Sequence, residues 1–239
     1  MDFISNIFSG DIFGNGFIAV LGGVLPCLIW LAFWLFEDKR HPEPKGYIAE
    51  TFLLGMLAVP LALFFQNWVG NFFLLGSIPL LLFWAIGEET LKFAAATIGG
   101  LSRRANNEPL DSMVYLITAA LGYAALENAF FLFGPLQAGD IATSVVAGNF
   151  RFLGSTLVHV LSSATIGIFL AYAFCRPRTL KILSVTAGLL LATLLHTLYN
   201  ILILNTDISF FAIFGGIWAG IVLVLVFFEL VKRLNPYCR

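Results

Sequence analysis

Apolar residues in this chain come in long blocks. They do not mark one face of a helix or alternate positions along a strand. The blocks lie at roughly 17 to 36, 47 to 68, 72 to 100, 112 to 134, 150 to 175, 180 to 204 and 208 to 231. A helix needs about 20 mostly apolar residues to cross the hydrocarbon of a bilayer, and irregular backbone cannot face lipid. The pattern therefore predicts an all-α, polytopic membrane helix bundle of about seven transmembrane helices. An extra re-entrant or interfacial helix near 136 to 150 is compatible with it. No segment between blocks is long enough for a soluble domain, so residues 1–239 are expected to form a single transmembrane helical domain.

Composition agrees: 59% of residues are hydrophobic and 11% charged, with a mean hydropathy of +0.92, against about 45–50% apolar in globular domains. The partners implied are the lipid bilayer and something within it, and no nucleic acid. The basic residues alternate with each crossing. Lys39, Arg40 and Lys45 follow the first block, Arg103 and Arg104 the third, Arg176, Arg178 and Lys181 the fifth, and Lys232, Arg233 and Arg239 the last. The other connections carry Asp140 and Asp207, with Arg151 the one exception. By the positive-inside rule the N-terminus is expected outside and the C-terminus in the cytoplasm. The first sixteen residues hold Asp2 and Asp11 but no lysine or arginine, so the first block is expected to be retained as a span. Cys27, Cys175 and Cys238 lack any CxxC spacing and are expected to be reduced thiols.

With the loops set aside, six ionisable residues remain inside the blocks: Glu88, Glu89, Lys92, Glu127, His159 and His196. A charge at a helix centre costs roughly 2.5–3.5 kcal/mol on insertion scales, so such residues should face inward and pair. Glu88 and Lys92, four apart, are expected to form an ion pair on one helix face. Ala120, Tyr123, Ala124 and Glu127 share a stripe on the fourth block, with Asn128 beside it. Ser155, His159 and Ser163 make a polar seam on the fifth, and Thr193, His196 and Asn200 face one way on the sixth. Four blocks thus each turn polar groups toward the interior. Asp111 is expected at the inner mouth of the fourth, as an N-cap or mouth residue.

Carboxylates and imidazoles in a dry bundle suit metal binding, general-base activation of water, or proton relay. His159, His196 and one glutamate could hold a divalent metal such as zinc, leaving a second glutamate as base. The HExxH spacing of many zinc peptidases is absent. A metal-free route, in which a glutamate activates water and histidine with Asn200 stabilises an oxyanion, stays open beside it.

The motifs EETLK (Glu88, Glu89, Lys92), GYAALEN (Glu127, Asn128), HVLSSATIG (His159) and HTLYN (His196, Asn200), in that order and preceded by DKRHPEP (Asp38, Pro42, Glu43, Pro44), resemble those of the PrsW family of intramembrane proteases. That family is related to the CAAX prenyl endopeptidases and bacteriocin-protection proteins. Tyr123 stands where the family more often has phenylalanine. The resemblance covers most of the chain and implies an intramembrane metalloprotease of a bacterial or archaeal cell membrane, acting on a membrane-anchored protein or peptide. The best-known member makes the first cut in an anti-sigma factor. Glu88, Glu89, Glu127, His159 and His196 are the implied catalytic centre, with Lys92, Asn128 and Asn200 in support; His159, His196 and Glu127 are the expected ligands of a divalent metal, zinc being the expected ion, and Glu88 or Glu89 the expected base. Two other classes compete: a proton-coupled transporter or channel, which would also use Glu and His chains, and a noncatalytic membrane binding protein.

Overall fold

The computed structural model describes residues 10–39, 41–205 and 207–234, and every regular element among them is a helix. In chain order these are α1 (Gly10–Glu37), α2 (Lys45–Gly70), α3 (Ile78–Ala96), a π-helical turn (Thr97–Leu101), α4 (Pro109–Gln137), α5 (Ile141–Phe150), a second π turn (Arg151–Ser155), α6 (Thr156–Tyr172), α7 (Arg178–Leu204) and α8 (Phe210–Val231). Six stretches are long and apolar enough to cross a membrane, α5, its π turn and α6 together forming one of them. The seventh long helix, α3, carries Glu88, Glu89 and Lys92 and so falls short on apolarity alone. The chain is a multi-pass membrane protein.

The third block starts later than its hydropathy suggests. Residues 71–77 form a turn, with Gly76 at φ 76° and Pro79 in the first turn of α3. Positive φ suits glycine, and proline's missing N–H does no harm in a helix's first turn. The expected extra segment at 136–150 is α5, which runs through the second π turn into α6 so that Ile141–Tyr172 is one continuous helical stretch. Gly139 at φ 75° turns the chain before it, and the Asp140 carboxylate caps it by accepting from the Thr143 N–H at 2.9 Å. Asp111 is not the N-cap of α4. Glu108 holds that position, and Asp111, three residues on, completes a capping box by accepting from the Glu108 N–H at 2.8 Å. Cys175 is disulfide-bonded, against expectation, while Cys27 is a buried free thiol; Cys238 lies outside the described residues.

Helix α4 is the axis of the bundle, with every residue from Pro109 to Ala125 buried. Helices α1, α2 and α6 each pack on it; α7 and α8 lie against α6, and α3 bridges α2 and α7. Inside the α4 and α5–α6 spans 72% of positions are buried, against 22–39% for the other four. Those outer helices present their leucine and phenylalanine side chains outward, as lipid contact requires. Small residues bring the backbones together at the axis: a Cβ on Gly122 would collide with the Phe52 carbonyl, and one on Gly55 with the Ala119 carbonyl. Close approach of this kind supplies the dispersion contact that holds helices together where lipid removes the hydrophobic drive.

The end of the bundle that gathers Lys39, Arg103, Arg176, Arg178 and Lys232 also holds a knot of acids. Asp38, Glu43 and Asp111 are all buried there, and the Tyr115 hydroxyl donates to Glu43. Burial first, then the neighbouring Asp111 and Glu108 carboxylates, push the Asp38 carboxyl up to about 7. The folded protein holds that proton more tightly than the unfolded chain. Its stabilising contribution is therefore complete below about pH 4 and lost as pH rises through about 7.

Two outcomes follow. Gly122→Leu should part α2 from α4 and replace the monodisperse peak of the detergent-purified protein by aggregate in size-exclusion chromatography. Asp38→Asn should raise the thermal midpoint over wild type at pH 8 and leave it near wild type below about pH 4, read by intrinsic fluorescence.

Candidate active site

The polar residues of α3, α4, α6 and α7 meet about halfway along the bundle. Glu88 stands ten residues from the start of α3, Glu127 ten from the end of α4 and His196 eight from the end of α7. At about 1.5 Å per residue these are depths of about 15, 15 and 12 Å from the same end. The late start of α3 is what brings Glu88 level with the others; counted from residue 72 it would sit about 9 Å deeper.

The innermost contact is Glu89 with Lys92, one turn apart on α3, with Nζ 2.6 Å from Oε1 and both side chains 0% exposed. The expected Glu88–Lys92 pair does not form. Lys92 points toward α4 and α6, where its ammonium meets His159 Nδ1 at 2.9 Å and lies 5.3 Å from the centre of the Tyr123 ring. Glu88 turns the other way and accepts from Gln66 Nε2 on α2 at 2.7 Å. Gln66 is itself held by Trp84 Nε1, which donates to its backbone carbonyl at 3.2 Å.

These contacts assign both imidazoles. An ammonium can only donate, so His159 Nδ1 is an acceptor and its Nε2–H donates to Glu127 Oε2 at 3.0 Å. A carboxylate can only accept, so His196 Nδ1–H donates to Glu89 Oε1 at 2.7 Å. His196 Nε2 is then directed toward Glu88 Oε2, 3.7 Å away. That carboxylate oxygen is buried with no hydrogen-bond partner, as is Glu89 Oε2. The two imidazole rings stand edge to face with centroids 5.1 Å apart.

Glu88, His159 and His196 each offer a ligand atom within 4.8 Å of the other two, the one such group among the described residues that could hold a metal ion. The donor set fits: two imidazoles and a carboxylate are three of a metal's four positions, and the unpartnered Glu88 oxygen is already desolvated. Glu89 on the far nitrogen of His196 is the kind of second partner that orients a ligating histidine. His159 would have to release one of its two present contacts. Glu127, the ligand expected from sequence, stands outside this group, held by His159 and by the Arg151 guanidinium.

The group opens on a cavity of about 450 Å³, lined among others by Gln66, Trp84, Tyr123, Arg151, Tyr199 and Asn200. Asn200 thus faces the cavity, as its spacing from His196 anticipates. Asn128 sits behind it, donating to Thr156 Oγ1 at 2.9 Å and accepting from Arg151 Nε at 2.6 Å. Ser162 and Ser163 are buried with unbonded hydroxyls and line no part of the cavity. Gln66, Trp84 and Arg151 are the members the motifs missed. Arg151 was visible only as the basic residue that broke the alternation of charge, and Gln66 as an amide near the end of a greasy block.

In formal charge, three carboxylates face two cations at this centre, which leaves it one positive charge short. Glutamates and histidines thus converge beside a cavity walled by long apolar helices. The PrsW family of intramembrane metalloproteases matches residues 43–231, and this chain belongs to it. It is 25% identical to Protease PrsW of Bacillus subtilis (strain 168), over 78% of this chain and 83% of that protein. It is 28% identical to Protease PrsW of Oceanobacillus iheyensis, over 76% and 80%. With Protease PrsW of Clostridioides difficile (strain 630) the identity is 23%, over 89% and 86%. No solved structure matches. The chain is accordingly a membrane peptidase.

Breaking a buried ion pair leaves an uncompensated charge, which costs about 3–5 kcal/mol. Lys92→Met alone should therefore lower the thermal midpoint in detergent sharply, and Lys92→Met with Glu89→Gln should recover much of the loss. The coupling is read as a double-mutant cycle.

Proposed function

We propose that this chain is an endopeptidase that hydrolyses a peptide bond of a membrane-anchored protein within the bilayer, at a centre where Glu88, His159 and His196 hold a divalent metal such as zinc. The observation that carries this is the convergence of those three side chains, with an unpartnered Glu88 oxygen, on a cavity walled by apolar helices. A metal there would polarise the scissile carbonyl and lower the pKa of a bound water.

The chain's own groups account for the rest. Glu89 cannot reach a water, since it is fully buried against Lys92 and His196, so it orients His196. Glu127 lines the cavity with its side chain 19% exposed, and it takes the proton as water adds to the carbonyl carbon. The same carboxylic acid returns that proton to the leaving nitrogen as the C–N bond breaks. Asn200 on the cavity wall can donate to the carbonyl oxygen as charge develops. Lys92 is the ion-pair partner that holds Glu89 in place, at 2.6 Å. This assignment moves the base from the Glu88–Glu89 pair to Glu127 and the third ligand from Glu127 to Glu88.

The apolar wall, with Leu63, Leu81, Phe130, Ile203 and Leu204, suits a transmembrane or membrane-bordering segment of substrate. A membrane-anchored regulator such as an anti-sigma factor is the substrate class the family resemblance supports. We place the basic end of the bundle in the cytoplasm on the distribution of lysine and arginine, with residues 1–239 acting as one transmembrane domain.

In proteoliposomes carrying a membrane-anchored peptide reporter, Glu88→Gln and His196→Ala should each reduce cleavage at least about 10³-fold while retaining the wild-type elution profile. Elemental analysis of the purified protein should find one divalent ion per chain, lost in His196→Ala. Full cleavage by either variant would refute the proposal. Active wild-type protein without metal would transfer the chemistry to the glutamate–histidine route.

A further inference from the structure

Arg151 is the basic residue that breaks the alternation of charge along the chain, and no motif of the centre includes it. It opens the π turn between α5 and α6, and its guanidinium reaches across to α4 with three anchors there. Nη2 pairs with Glu127 Oε2, Nε donates to Asn128 Oδ1 at 2.6 Å, and the guanidinium carbon lies 3.8 Å over the Phe131 ring. Asn128 is in turn held by its bond to Thr156 on α6. The fork is therefore fixed in plane and direction, which a lysine's single ammonium could not be. A π turn carries one residue more than an α turn, and such bulges recur at functional sites because they re-aim a side chain.

The consequence falls on one carboxylate. Glu127 Oε2 takes both the Arg151 pair and the His159 Nε2–H, while Oε1 has no hydrogen-bond partner among the described residues. Without the guanidinium, the carboxylate on the cavity rim would keep a single contact, the His159 Nε2–H, and could pivot about it. His159, whose tautomer Lys92 sets from the Nδ1 side, would then face an unfixed acceptor.

We propose that Arg151 is a positioning residue: by pinning Glu127 through Oε2 it presents Oε1 to the cavity as the atom that exchanges protons with water and leaving group. The role rests on the peptidase function proposed above. It ties the seating of the α5–α6 junction on α4 to the competence of the centre.

The test is kinetic and spectroscopic, on the full chain in proteoliposomes. Arg151→Ala should lower kcat for the anchored reporter by about 10²-fold, the scale of a misplaced catalytic group, with KM within about threefold of wild type. Arg151→Lys should fall between the two, and millimolar guanidinium should restore part of the activity of Arg151→Ala but none of that of Glu127→Gln. In nitrogen-15-edited spectra, the His159 Nε2–H should be a sharp, hydrogen-bonded proton in wild type and in Arg151→Lys, and should broaden by exchange in Arg151→Ala while the ring keeps the tautomer that Lys92 sets. A kcat of Arg151→Ala within threefold of wild type overturns the proposal. So does a loss confined to KM, or a loss that guanidinium leaves untouched. If wild type leaves every reporter intact, the peptidase function fails by itself, and the His159 spectrum decides Arg151: an Nε2–H broadened in Arg151→Ala upholds the positioning role and an unchanged spectrum overturns it.

Discussion

The Glu89–Lys92 pair is the contact on which the centre depends, because it is the only way two ionised groups can both be 0% exposed in the middle of a membrane bundle. A charge there has no water to solvate it, and the remedy is a partner of opposite sign supported by further hydrogen bonds. Lys92 and Glu89 each have such support, the first from His159 and the second from His196, so one pair orders two imidazoles on two other helices. A second pair, Glu127 with Arg151, closes the arrangement from the rim. The centre is thus built outward from its most buried contact toward the cavity where substrate would lie.

Packing serves the same end. Polar side chains can converge only if the helices that carry them approach closely, and α4 makes this possible with Ala119, Ala120, Gly122, Ala124 and Ala125. Gly122 and Gly55 remove the last steric obstacle between α4 and α2. The outer helices are free to be large and apolar because lipid covers them. Burial is therefore concentrated in α4 and α6, the helices that contribute Glu127, Asn128 and His159. The two π turns lie where the regular helix would misplace its neighbours. The first sets Gly99 and Gly100 against Thr51 and Tyr115, and the second launches Arg151.

Much of this was legible in the amino-acid order. Long apolar blocks specify helices because a bilayer leaves the backbone no other way to satisfy its hydrogen bonds, and six of the seven blocks match spans to within a few residues at most ends. The ionisable residues within the blocks were identifiable one by one, since each is too unfavourable to be there by chance. Boundaries failed where a turn interrupts an apolar run, as at residues 71–77, because phenylalanine and leucine look alike in a turn and in a helix. Of the two roles open to Asp111, N-cap or mouth residue, the fold excludes only the first, because Glu108 three residues earlier takes the cap.

Which glutamate does what was beyond the sequence. Spacing of three and of four residues both put Lys92 next to a carboxylate on α3, so Glu88 and Glu89 are equivalent until their surroundings differ. The fold separates them: α6 and α7 take Glu89 and Lys92, while Gln66 on α2 takes Glu88 and leaves one of its oxygens unbonded. Arg151 shows the same division, its charge evident in the chain and its partners set only when α4 and the α5–α6 junction meet. The sequence by itself determined that charged groups must lie inside a lipid-facing helical bundle, because the bilayer's requirement acts on each segment separately. Their pairing, and hence their chemistry, was decided by the tertiary structure, because it depends on contacts between residues as far apart as Glu89 and His196.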